Sequence, residues 1–532
     1  MSTLQRSCPV HGPLTTLKVL VTVTAVVSLR VAPAFPDAGS TAKHLRRSED
    51  RLHLYQDQHR RLHKKFSESL EKLSQFCDDK GFSDAATSIR TLTSPSKTNG
   101  IEVKPLPRQV QPKLPADLPK DERDWRSQLR FLRNDYAKDL YALSRRSLRA
   151  GYPSFAYNTL REVALHNPDH RTARQLLGYK RLGDQWVTPY YARMLRSGKV
   201  WHDTFGWLPK THVKRYTDGQ RYYKRRWIST AKEAELRRSF HNAWEIRTDH
   251  YLIKTNYSLE RGVELGKTLE DFHRFFHQTF ASFFNTPEQM QKLFEGPLNG
   301  HGNWGPARPM KVHYYSTREE YNQRLRKKIP QIAITNGLYL TDNRTAHFFH
   351  ADNPKTSADA TLFHEATHQL FFESQPINRR IGEKENFWIV EGIACYMESF
   401  KRELNGFSLG DPHYIRFQAA RIRYLENKYY VPLAEFASIG MMPFQSDQKN
   451  ISKNYSQASG LSLFFMHYDD GRYRDALIEH LSQIYSVNTR RYPRVQSLAE
   501  LTEVRFEELD RQYIEYTKKV HEAMAQNTAQ GR

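Results

Sequence analysis

The stretch Phe363–Phe371 reads FHEATHQLF, in a chain that holds 23 histidines. Residues four apart on a helix lie one turn apart on the same face, so the imidazoles of His364 and His368 can converge on a single ion. Zinc accepts such ligands at roughly 2.0–2.1 Å in a tetrahedral array, and a catalytic zinc takes three protein ligands and leaves the fourth position to water. Glu365 sits beside the first histidine. From there its carboxylate can take a proton from that water as the water attacks a carbonyl. A third ligand is needed, and Glu391 in NFWIVEGIACYMESF offers one. It follows His368 by 23 positions, enough for the first helix to end, for SQPINRRIGEKE to reverse direction and for a second, amphipathic helix to pack back. With no ion present, two histidines and two glutamates gathered in one place would be costly to bury.

The elements that must position these side chains can be read from the surrounding pattern. Thr356 or Ser357 is suited to cap the helix ADATLFHEATHQLFFE, and Asp359 falls in its first turn, where a negative charge complements the dipole. Upstream, HYLIKTNYS and MKVHYYS read as strands, LERGVELGKTLEDFHRFFHQTFASFFN as a long helix and ITNGLYLTDNRTAHFF as a hairpin-like pair of strands. Beyond the metal helix the chain reads almost entirely as helix. Strands first and helices afterwards predict an α+β domain, a small mixed sheet followed by helices, over residues 239–532.

At this point the residues resemble a family. HEATH followed by WIVEGIA looks like the gluzincin metallopeptidases, zinc enzymes with an HEXXH helix and a glutamate ligand on a following helix that often reads W-x-x-E-G-x-A. More closely, WEIRTDHYLI, ITNGLYL, HEATHQLF, FWIVEGIACYME and NYSQASGLSLFFMHY are similar to a bacterial group of exported gluzincin-like proteins of unknown function, over about residues 240–490. The resemblance implies an exported hydrolase with one Zn2+ per chain on His364, His368 and Glu391 and with Glu365 as general base. It also implies that GLYLTDNRTAHFF contributes an edge strand along which a peptide or protein substrate lies extended, its backbone hydrogen bonds supplying much of the affinity. Peptide bonds of a protein and the stem peptides of peptidoglycan both remain open as substrates.

The resemblance bears on four further positions. Tyr455 in NYSQASG, 64 residues beyond Glu391, stands where aminopeptidase-type gluzincins offer a tyrosine, and is the candidate to stabilise the oxyanion or protonate the leaving amine. His467 and His480 are weaker candidates, and His347 and His350 read as loop residues ahead of the metal helix. Many gluzincins carry an acidic residue four positions after the glutamate ligand to orient the first histidine. Here that position is Cys395, either a buried thiol or a thiolate ligand, and Glu398, one turn further on, can take over the orienting role. A chain with that brace missing would be a catalytically degenerate gluzincin-like protein, acting as a basic binding or scaffold protein at an anionic envelope surface.

The remainder of the 532 residues divides by composition. Val19–Leu29 is an eleven-residue apolar run between Lys18 and Arg30, followed by Ala32-Pro33-Ala34, which reads as a signal peptide over residues 1–34. It is well short of the roughly twenty residues that span a bilayer, so an uncleaved N-terminal anchor is the alternative and no transmembrane domain is expected in the mature chain. Cys8 would leave with the signal, and Cys77 and Cys395 alone make no disulfide framework. Residues 35–93 read as two or three helices, 94–120 as a Pro-rich linker, 121–180 as helices with one tetratricopeptide-like hairpin, and 181–238 as two small modules, each planting one tryptophan (Trp186, Trp227) in its own core.

Charge is concentrated in the first half. Residues 41–240 hold 42 Lys+Arg against 22 Asp+Glu, while residues 241–532 hold 36 against 35. The basic half suits an anionic cell-envelope polymer that would hold the hydrolase near its substrate, whereas nucleic acid is not an expected partner, since no recognised binding motif appears and the signal exports the chain.

Overall fold

Five short strands with alternating apolar residues form one mixed sheet, in the order Leu338–Leu340, Thr345–Phe349, Met310–Tyr315, Tyr251–Thr255, Trp244–Arg247. Met310–Tyr315 runs parallel to both of its neighbours, and the two outer pairings are antiparallel. The computed structural model describes residues 38–529 apart from 94–99, 296–307, 352–357, 375–376, 379, 404–405, 488–491 and 493. The expected signal peptide and the Thr356 or Ser357 cap lie outside the described residues. Among those that are described, no helix is long and apolar enough to cross a membrane.

Each face of the sheet buries a different set of residues. Ile253, Val312, Ala346 and Phe348 share a core with Val263, Leu269 and Phe272 of the helix Leu259–Thr279 and with Leu362, Phe363, Ala366 and Leu370 of the helix Ala358–Glu373. On the opposite face Tyr315 and Phe349 pack with Tyr321 and Leu325 of the helix Arg318–Leu325, whose first turn Thr317 caps. Leu259–Thr279 sits unusually close to the strands. A Cβ on Gly262 would lie 2.5 Å from Ile246, and one on Gly266 would lie 2.8 Å from Thr248.

The helix carrying Glu391 departs from the amphipathic expectation. Every residue of Phe387–Met397 is buried, because the metal helix covers one side and the helix Ile451–Gly471 another. Burying a side chain such as Trp388, Ile389 or Ile393 is worth roughly 1.5–3 kcal/mol, so apolar residues on all sides are what this position selects. Gly392 sets the spacing, since a Cβ there would stand 2.6 Å from the Ala458 carbonyl oxygen and 2.7 Å from Ser462 Oγ.

The first half of the chain is joined to this domain at several points. The expected two or three helices of residues 35–93 are one 42-residue helix, Ala38–Asp79, followed by Ser83–Arg90. Phe66, Leu70, Leu73 and Cys77 pack with Tyr136, Leu140, Tyr157 and Leu160 of the helices Lys120–Arg149 and Pro153–His166, and the same core takes in Ala281, Met290 and Phe294. Glu162 ties three helices together, accepting from Tyr136 Oη at 2.6 Å and pairing with His59 Nε2 at 2.6 Å.

The Pro-rich segment is not a free spacer. Ile101–Val103 pairs antiparallel with Gly406–Leu409, and further on Trp186 N donates to Arg108 O and Val110 N to Asp184 O. Arg174, 1% exposed, fastens it by donating to Pro107 O at 2.7 Å and Pro168 O at 2.8 Å beneath Trp186. Residues 180–237 then form three hairpin-and-helix units where two were expected. The hairpins are Lys180–Leu182 with Gln185–Val187, Lys199–His202 with Gly206–Pro209, and Gln220–Tyr223 with Arg226–Ser229. The middle unit is centred on Trp207, whose ring packs against Trp201 and Tyr191.

Gly392→Ala should lower stability by about 1–3 kcal/mol through overpacking against Ala458 and Ser462. A thermal melt unchanged from wild type would show that these helices can separate without cost.

Candidate metal centre

Between Thr361 and Leu370 the only positions of the metal helix that keep contact with solvent are Thr361, His364, Glu365 and His368. Their spacing of three, one and three is a single helical stripe, opposite the buried stripe of Leu362, Phe363, Ala366 and Leu370. Local sequence therefore aims both histidines away from the core and toward the helix that carries Glu391.

The three expected ligands meet there. His364 Nε2 and His368 Nε2 are 3.2 Å apart, and the Glu391 carboxylate lies 3.5 Å from the first and 3.8 Å from the second. Ligand bonds of roughly 2.0–2.1 Å at a tetrahedral angle would place two nitrogens about 3.3–3.4 Å apart, so the donor set fits a zinc-sized ion with little movement. Burial opposes charge on Glu391, yet His364, His368 and Tyr455 together hold its carboxyl below the usual range. The two imidazoles diverge. Burial lowers His368, whereas His364 is raised well above 6.5 against its own burial by Cys395, Glu391 and Glu398.

Glu398 fills the orienting role that the Cys395 position leaves open. Its Oε1 pairs with His364 Nδ1 at 2.8 Å, which leaves Nε2 to face the other ligands. Two residues that the sequence did not point to hold Glu398 in turn. Arg416 donates from Nε and Nη2 at 2.9 Å each and Tyr414 from its hydroxyl at 2.9 Å. Burial opposes charge on Glu398, but His364 first and Arg416 after it bring its carboxyl down to about 2. Tyr414 and Arg416 lie 16 and 18 positions after Glu398, and no local pattern announces such a contact. Cys395, fully buried, also lies within reach of His364 and Glu398. Burial raises its thiol, which disfavours the thiolate form.

Glu365 points to the other side of the ligand stripe. Its Oε2 accepts from the backbone N–H of Tyr339 at 2.7 Å, so the edge strand Leu338–Leu340 docks on the carboxylate, and Oε1 has no hydrogen-bond partner among the described residues. Tyr339 is pinned a second time, because its hydroxyl bonds to Glu373 two turns along the metal helix. Burial raises Glu373 to about 7, with Gln369 and Tyr339 working against it.

The remaining expected residues separate clearly. Tyr455 reaches Glu391, and burial together with Glu391 and Cys395 keeps its phenol protonated far into the alkaline range. His467 and His480 are occupied elsewhere, with Tyr396 Oη 2.7 Å from His467 Nε2 and Gln496 O 2.8 Å from His480 Nδ1. His347 is no loop residue but part of the strand Thr345–Phe349, 3.0 Å from Tyr315 Oη, and His350 follows that strand 3.2 Å from Tyr314 Oη. The chain matches no family model, and no curated protein or solved structure is significantly similar to it.

Glu398→Ala should weaken metal binding by about 10–100-fold in a chelator competition, because His364 loses the partner that fixes its ring. Glu373 carries a separate pH signature. Its folded-state carboxyl is raised, so stability is unaffected below about 4.5 and falls as pH climbs toward about 7, by at most about 3 kcal/mol. Urea midpoints at pH 4.5 and 7 should show that fall in the wild type, reduced by a corresponding amount in Glu373→Gln.

Proposed function

We propose that the chain is a zinc-dependent hydrolase of the gluzincin-like kind, cleaving peptide bonds in an extended substrate. The observation that carries this reading is the division of labour on one helical stripe. His364 and His368 turn toward Glu391, while the intervening Glu365 turns toward an edge strand with one oxygen unpartnered among the described residues.

A zinc ion held by His364, His368 and Glu391 would supply Lewis acidity toward a carbonyl and a lowered pKa for water. The remaining work falls to the chain itself. Glu365 accepts the proton of the attacking water on Oε1 and passes it to the leaving amine. Tyr455 stays a neutral hydroxyl under all ordinary conditions, so it can donate a hydrogen bond to the oxyanion, and its bond to Glu391 keeps it at the ligand cluster between turnovers. Leu338–Leu340 pairs on one side with Thr345–Phe349, and its other edge, where Glu365 holds the Tyr339 N–H, is the place beside which an extended substrate would lie. Recognition through backbone groups suits peptides of many sequences.

An intact brace on His364 supports an active over a degenerate protein, since Glu398 supplies the orienting carboxylate that position 395 lacks. The basic first half remains suited to an anionic envelope polymer as anchor.

In elemental analysis His364→Ala should carry one equivalent of zinc fewer than wild type. Glu365→Gln should keep the metal and lose hydrolysis of an unfolded protein substrate. Wild-type cleavage by the glutamine variant would remove Glu365 from the proton-transfer role, and absence of cleavage by the zinc-loaded wild type would favour the degenerate reading.

A further inference from the structure

Of the three hairpin-and-helix units, the last carries an excess of positive charge left without partners. Residues 208–227 hold seven Lys+Arg against one acid, Asp218, which pairs with Lys214 at 3.0 Å. Arg221 turns inward, to Glu233 at 3.6 Å and Glu260 at 3.3 Å. The other five, Lys210, Arg215, Lys224, Arg225 and Arg226, are exposed, and none of them pairs with a carboxylate among the described residues.

The turn that carries two of these cations is built against backbone preference. Tyr223 and Arg226 face one another across the hairpin, so Lys224 and Arg225 form a two-residue loop, and both are left-handed, with φ of 43° and 66°. Such a turn favours Asn-Gly, since glycine has no Cβ to crowd the backbone at positive φ and asparagine tolerates the conformation. Two long cations kept where the backbone disfavours them point to a role at the tip rather than in the fold.

Beneath the tip, aromatic side chains hold the neighbouring charge in place. Tyr222 and Trp227 lie opposite one another on the hairpin with ring centroids 5.1 Å apart, and His212 packs against them at 4.7 and 4.9 Å. Trp186 of the first unit is 4% exposed, whereas Trp227 is only half-buried, outside the cores described above, and Tyr222 is 39% exposed. The Arg215 guanidinium sits 4.7 Å over the Trp227 ring, which fixes its fork without neutralising its charge. With that face of Trp227 covered, the cluster offers fixed cations more than a bare ring on which a nucleic-acid base could stack.

We infer that this tip and the adjoining Arg215 form the docking site for an acidic polysaccharide, a polymer whose sugars bear carboxylates. Planar carboxylates accept the arginine fork in pairs of hydrogen bonds, and charge repeated along one polymer can engage the tip and Arg215 together. The inference deepens the anchoring role given to the basic half and rests on it, while the zinc centre plays no part in it.

The test uses the full chain and polygalacturonate immobilised on a biosensor at low salt. Wild type should bind, with affinity falling as salt rises. Lys224→Asn combined with Arg225→Gly installs the residues the turn prefers, so this variant should melt no lower than wild type while binding about 2–30-fold more weakly. Lys64→Gln combined with Lys65→Gln removes the same charge from exposed positions of Ala38–Asp79 and should bind as wild type does. Equal losses in the two double variants would overturn the site, because general charge would then account for the binding. Undiminished binding by the turn variant would remove the tip and leave an anchor elsewhere in the basic half, and no binding by wild type would remove both. Neither result bears on the zinc centre. Tighter binding of single-stranded DNA or polyphosphate than of polygalacturonate would also overturn the assignment.

Discussion

One carboxylate sets the terms for the C-terminal half. Glu391 is the only charged side chain of a helix whose every residue is buried, and a charge in such a place survives only when partners compensate for its lost water. Two imidazoles and a phenol provide that compensation from two different helices. The requirement propagates outward, since His364 must be turned by Glu398, and Glu398, itself buried, must be neutralised by Arg416 and Tyr414. The centre is thus one end of a chain of charge compensation that runs from Glu391 through His364 and Glu398 to the partly exposed Arg416.

The same logic explains why the metal helix and the edge strand are tied together. Glu365 and Glu373 stand two turns apart, one holding the backbone and the other the hydroxyl of Tyr339. A strand of only three residues has few ladder bonds of its own. Its position is borrowed from the helix, so the strand edge and the Glu365 carboxylate are held to one another.

Where the candidate site depends on spacing along one helix, the sequence was informative. His364, Glu365 and His368 are placed by a period of 3.6 residues, and Glu391 by the length of loop that a helical reversal requires. Glu398 was visible as an offset of one turn. The environment of the Glu391 helix was not, because an apolar run with one acid reads the same whether one side or all sides are covered. Arg416 and Tyr414 act through tertiary contact alone. Trp207 was missed as the centre of a third repeat because a Pro two positions on disguises the pattern of Trp186 and Trp227, and the Pro-rich segment read as a spacer because its pairing partner, Gly406–Leu409, lies some 300 residues away.

That distant pairing has a bearing on how the molecule comes into being. Ile101–Val103 leaves the ribosome long before Gly406–Leu409 exists, so the earliest described strand must wait, unpaired, while some 300 further residues are synthesised. Once closed, the belt running from residue 101 to the hairpin at Asp184 makes the two halves poor candidates for separation. Severed fragments would each carry one raw strand edge, a surface that attracts other edges and favours aggregation.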